Sequence, residues 1–134
     1  LIDEFLLFDD WSERYQYLIE LGQLLPPMPM SMRNDRDWLP GCSAETFLAG
    51  ERRAGQLHLF AASDMPVIAG LLALVVRVYS GLSPAEILRQ PPLHLDRIDL
   101  TQRLSPHRRI ALLRIHERLV QLASDHEPVL RRIS

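Results

Sequence analysis

The only cysteine of this chain, Cys42, stands in the stretch DWLPGCSAETFLAG, residues 37–50. A proline two residues before it and a glycine directly before it make a turn, and turns lie at the surface. A thiol there ionises when basic groups stand near it, and the thiolate is the reactive form. Four roles are open to such a residue: small apolar filler, metal ligand, half of a disulfide, or nucleophile. A lone cysteine forms no intramolecular disulfide, so folding does not depend on oxidation. That usage suits a reducing compartment, and a cytoplasmic location is expected.

The other groups able to do chemistry are sparse. The five histidines are His58, His94, His107, His116 and His126, and no two share the spacing of a helical metal site. With one cysteine, a zinc motif of two pairs cannot be written, and no metal is expected. His58 or His107 could stand beside Cys42 as a base if the fold brought it there. All fifteen basic residues are arginines, which excludes a Schiff base on lysine. Asp64 reads as a helix cap. His107, Arg108 and Arg109 open a helix, where cations are slightly unfavourable; an anion or a thiolate nearby would offset that.

These groups sit on a chain of 134 residues and 15.4 kDa, the size of one domain able to bury its own core. The apolar share of 47% and charged share of 24% are those of a globular protein. A net charge of -2 gives no strong pull on nucleic acid. The longest apolar run, residues 67–76, is too short to span a bilayer. No basic region followed by an apolar stretch opens the chain, so no signal peptide is expected.

Proline and glycine punctuate the elements that must position Cys42. Asp9 or Asp10 caps a helix from Trp11, with Tyr15, Leu18 and Ile19 on its inner face and Gly22 ending it. The prolines of LLPPMPM forbid a helix there. After Cys42, SAETFLAGERR and QLHLFAAS read as two strands joined at Ala54-Gly55, a hairpin. Ser63 or Asp64 then caps a helix from about residue 65 to 79, apolar nearly all round and therefore central, ended by Gly81. Ser83 and Glu86 form a capping box with Pro84 at the first helical position, and this short helix stops before Pro91. Ser105 and Pro106 repeat the device for an amphipathic helix to about Ala123, with Ile110, Leu112, Leu113, Leu119 and Leu122 as its inner face. The tail beyond Asp125 is expected to fray. Residues 1–134 thus read as one α+β domain, a small antiparallel sheet packed by helices.

Taken together, the pieces WSERYQYLIELGQLLPPMP, GCSAETFL, LHLFAASDMPVIAGLLALV, GLSPAEIL and LTQRLSPHRRIALL resemble the SufE family of sulfur acceptor proteins, with its CsdE relatives, in order and spacing. The resemblance implies a fold shared with the IscU-type scaffold. It implies that Cys42 takes a sulfane sulfur from the persulfide of a PLP-dependent cysteine desulfurase of the SufS or CsdA kind. It further implies that the protein stimulates that enzyme and passes sulfur toward an Fe–S assembly scaffold. PLP would belong to the partner, leaving this chain without a cofactor. Such a protein is a sulfurtransferase-type accessory carrying a covalent persulfide.

Several positions depart from the family pattern. Phe47 stands where tryptophan is usual, Ala62 replaces the first aspartate of DSD while Asp64 is kept, and Ala69 replaces a lysine. His107 replaces a serine beside the matching Arg108. Gly41 is a candidate hinge for a loop that tucks the sulfur in and swings it out. Arg108, if near, would lower the thiol pKa. Three rivals remain: an IscU-like cluster scaffold, which needs more ligands than one cysteine supplies, a desulfurase-binding regulator that needs no thiol, and a thiol-redox sensor.

Overall fold

The computed structural model describes residues 11–33, 45–89 and 104–126. Among these, four α-helices, one short 3-10 turn (Met30–Met32) and a two-stranded antiparallel sheet make an α+β fold. In chain order they are α1 (Trp11–Gln23), β1 (Thr46–Arg53), β2 (Gln56–Ser63), α2 (Pro66–Tyr79), α3 (Pro84–Arg89) and α4 (Pro106–His126).

The hairpin forms where alternation and turn chemistry agree. Its register runs from Thr46 opposite Ser63 to Arg53 opposite Gln56. Ala54 at φ 51° and Gly55 at φ 79° make the two-residue turn, the left-handed pair whose twist matches a hairpin. Thr46, Leu48, Leu57, Leu59 and Ala61 face inward and are buried. The outer edge of β2 is tied down by the residues after α2. Gly81 N–H donates to Leu57 O at 2.9 Å, Leu57 N–H to Leu82 O at 2.8 Å, and Leu59 N–H to Ser80 Oγ at 2.9 Å. Gly81 does this at φ 92°, a conformation that glycine adopts without strain, and it ends α2 as expected.

α2 is the central helix. Val67, Ile68, Leu71, Leu72, Leu74 and Val75 are all buried, as its apolar sequence requires. Pro66 opens it with Met65 at the N-cap, so neither Ser63 nor Asp64 is the cap the sequence suggests; the Ser63 hydroxyl instead accepts the Met65 N–H at 3.2 Å, before the helix begins. α1 lies against α2 at a crossing made by two glycines. A Cβ on Gly70 would stand 2.4 Å from Leu18 O, and one on Gly22 2.6 Å from Gly70 N. Gly22 therefore lies inside α1 and serves close helix approach, rather than ending the helix as its position suggests.

The capping box at Ser83 and the serine cap at Ser105 form as the sequence indicates. Ser83 N–H donates to Glu86 Oε1 at 3.2 Å, and Glu86 N–H to Ser83 Oγ at 3.1 Å. The Ser83 bonds hold the Glu86 carboxyl below its ordinary value. Ser105 Oγ accepts the Arg108 N–H at 3.2 Å. The inner face of α4 differs from the expected one. Ala111, Ile115, Leu119, Leu122 and Ala123 are buried, whereas Ile110 and Leu113 are 46% and 54% exposed. The helix carries two apolar stripes, and the buried stripe is the one whose small alanines allow close packing.

Candidate functional site

Three contacts fix the direction of α4 along the hairpin. Arg118 Nε donates to Leu48 O at 3.1 Å. Leu122 Cδ2 lies 3.6 Å from the place a Cβ on Gly50 would take. Arg52 Nη1 donates to His126 O at 3.2 Å. Each step of four residues on α4 thus matches two residues on β1. Four helical residues rise about 6 Å and two strand residues about 6.6 Å, so the two elements run nearly parallel.

The N-terminal ends of β1 and α4 consequently point the same way, as does the N-terminus of α2, which follows directly on β2. This is the open end of the hairpin. Continuing the register one step sets Arg114 level with Thr46. The eight residues back to Pro106 then carry α4 about 12 Å past the strand end.

The open end is closed by hydroxyls and backbone. Thr46 is fully buried, and its Oγ1 lies 2.9 Å from Ser63 Oγ. Ser63 in turn receives the Met65 amide. Asp64 is exposed at this corner, and its own N–H donates to Glu45 O at 3.2 Å. A chain of hydroxyls therefore joins the first residue of β1 to the start of α2. Alternation puts Thr46 on the same side of β1 as Leu48; nothing in the local sequence pairs it with Ser63, which only the register brings opposite.

Arg108, in the first turn of α4, donates from Nη1 to Tyr15 Oη and stands with its guanidinium carbon 6.0 Å from that ring's centroid. The contact ties α4 to α1 and holds a cation near the N-terminus of α4, against the helix dipole.

Cys42 and Gly41 lie outside the described residues, as does His94. Of the remaining candidates, the structure brings Asp64 to the open end and places Arg108 on Tyr15. His58 lies in β2 opposite Glu51, in the half of the hairpin nearer its turn, and His126 lies at the far end of α4. No group of three or more metal-ligating side chains occurs among the described residues, and no described helix is long and apolar enough to cross a membrane.

The SufE family model, described as an Fe-S metabolism associated domain, matches residues 1–123. The chain belongs to the SufE family. A SufE-like protein of Rhizobium meliloti is 32% identical over 133 residues, covering 96% of this chain and 95% of that protein. A SufE-like protein of Rhizobium etli is 32% identical over 113 residues, covering 81% and 76% of the two chains. The solution structure of a hypothetical protein from Thermus thermophilus is similar at a TM-score of 0.77 and 21% identity, covering 92% of this chain and 90% of that one. That likeness concerns the fold. The SufE match spans the first two described stretches, the third as far as Ala123, and Cys42 with them. Within this SufE chain Arg108 stands on the Tyr15 phenol.

Proposed function

We propose that this SufE-family chain accepts a sulfane sulfur on Cys42 from the persulfide of a PLP-dependent cysteine desulfurase, stimulates that enzyme and hands the sulfur on toward Fe–S cluster assembly. The observation that carries the reading is the family match over residues 1–123, which includes the only cysteine of the chain. The fold supports it. Four residues of chain reach at most about 14 Å, so Cys42 is tethered by sequence to the open end, where α4 overhangs β1 by a similar length. A helix N-terminus and a basic group both favour the thiolate.

The transfer balances without an oxidant. The Cys42 thiolate attacks the outer sulfur of the donor persulfide. A new S–S bond forms on Cys42, the S–S bond of the donor breaks, and the donor cysteine leaves as its thiolate. The outer sulfur carries its proton with it, and no net electrons move. The product is a persulfide, so no second cysteine is needed to complete the step.

The test is an intact-mass spectrum after incubation with a desulfurase, PLP and free cysteine, with Cys42→Ser run beside the wild type. One added sulfur atom on the wild type, removed by reductant and missing from the variant, is the expected result. No adduct with any desulfurase of the same organism, each shown to be active, refutes it. Full stimulation of the enzyme by Cys42→Ser would assign the chain to regulation without transfer.

A further inference from the structure

Among the described residues, the second apolar stripe of α4 takes no part in the core. Ile110, Leu113 and Val120 are 46%, 54% and 40% exposed and lie along the middle of the helix's solvent face. With Glu117 they occur at steps of three, four and three residues, the spacing of the first and fourth positions of a heptad. Single exposed apolar side chains are ordinary. Three in line over about 15 Å of one helix match the seam offered to a partner helix.

The flanks specify that partner's charge. Arg109 and His116 border the seam on one side, Arg114 and Gln121 on the other. Neither flank holds an acidic residue. The one carboxylate in the seam, Glu117, is paired with Arg114 at 3.0 Å. Two copies of this face brought together would set Arg109 and Arg114 against their own kind, which disfavours self-pairing. We infer that the outer face of α4 is a docking surface for an amphipathic helix of another protein, apolar along its seam and flanked by aspartate or glutamate. The stripe begins one turn from the N-terminus of α4, so a partner engaged at the open end has this face within reach. The inference does not depend on the chemistry of Cys42.

The probe is a synthetic peptide of about three heptads with leucine at the seam positions and glutamate on both flanks, whose own charges oppose self-association. Its binding to the full chain is followed by calorimetry and by amide chemical shifts, at low and high salt. The expected result is salt-sensitive binding with shifts confined to α4. Binding weakens at least tenfold in Leu113→Glu and in Ile110→Ala, both of which melt like the wild type because the side chains are exposed. Arg109→Glu with Arg114→Glu loses the glutamate peptide and gains a lysine-flanked one. Equal affinity of the wild type for both peptides overturns the inference, as do shifts elsewhere or binding unchanged in Leu113→Glu. Concentration-dependent dimers that Leu113→Glu abolishes would give the face to a second copy and overturn it as well.

Discussion

Replacing Gly70 by alanine sets two effects of known sign against each other. In an open helix the change stabilises by about 1 kcal/mol, because glycine loses more backbone entropy on folding. Here the new methyl would stand 2.4 Å from Leu18 O, 2.8 Å from Leu18 Cγ and 3.0 Å from Leu18 C. Two of those atoms are helix backbone, so relief requires α1 to move away by roughly 1 Å rather than one side chain to turn. Overpacking of this kind costs about 1–3 kcal/mol and occasionally more. The clash falls on backbone, so the upper part of that range applies and the clash outweighs the propensity gain. The expected net loss is about 1–2 kcal/mol, or a Tm lower by about 3–10 °C for a chain of this size. Urea unfolding followed by far-ultraviolet circular dichroism measures it. Gly22→Ala meets the same crossing, with Gly70 N at 2.6 Å. One displacement of α1 relieves both, so the double variant should fall short of the sum. A Gly70→Ala protein as stable as the wild type, or more so, would refute the reasoning, since helix propensity would then have won.

Four further outcomes follow from the same structure. Ala54→Asn relieves a left-handed turn residue and should raise stability by about 0.5–1 kcal/mol with an unchanged urea slope. Thr46→Val keeps the shape of a buried side chain while leaving Ser63 Oγ without that partner, and should cost about 1 kcal/mol in the same assay. Glu86 has its folded pKa depressed below the ordinary 4.5 by its bonds with Ser83. Its contribution is therefore fully present above pH 4.5 and fades as pH falls through the folded value. The stability difference between wild type and Glu86→Gln should be flat above that pH and change below it, and a carboxyl carbon titration should place Glu86 below the ordinary 4.5. Arg108→Ala removes a cation from the first turn of α4. The pH at which Cys42 reacts with iodoacetamide should then rise, and an unmoved profile would detach Arg108 from the thiol.

Much of this fold is written in local chemistry. The capping box at Ser83, the serine cap at Ser105, the Ala54-Gly55 turn and the glycine after α2 each depend on residues within a few positions of one another. Propensity and capping therefore locate them without tertiary information. What escaped the sequence depends on partners distant along the chain. Gly22 resembles a helix terminator until Gly70 is seen opposite it. Both stripes of α4 are apolar in sequence, and only the packing of α2, α3 and β1 against this helix decides that Ala111 and Ile115 turn inward rather than Ile110 and Leu113. The Thr46–Ser63 pair follows from a register set at the far turn. Of the candidate site, Asp64 reads in sequence as a helix cap, but Met65 takes that position with no side chain capping α2, because Ser63 and Asp64 are held in the corner by their bonds to Met65 and Glu45. Arg108 was legible as a first-turn cation, but not its Tyr15 partner, which lies 93 residues away.

The matched steps of α4 and β1 act like the two scales of a vernier, about 6.0 Å against about 6.6 Å. Over three marks the slip is small enough for side chains to absorb, which lets one helix be gauged along one strand from Leu48 to Arg52. The part of α4 beyond the scale carries no such marks. That stretch is seated separately, by the buried Ala111 and Ile115 and by Arg108 on Tyr15. One helix is thus gauged twice, along the hairpin by its C-terminal half and against α1 by its first turns, so a residue inserted between Ile115 and Arg118 would put the two settings out of phase by about 100°.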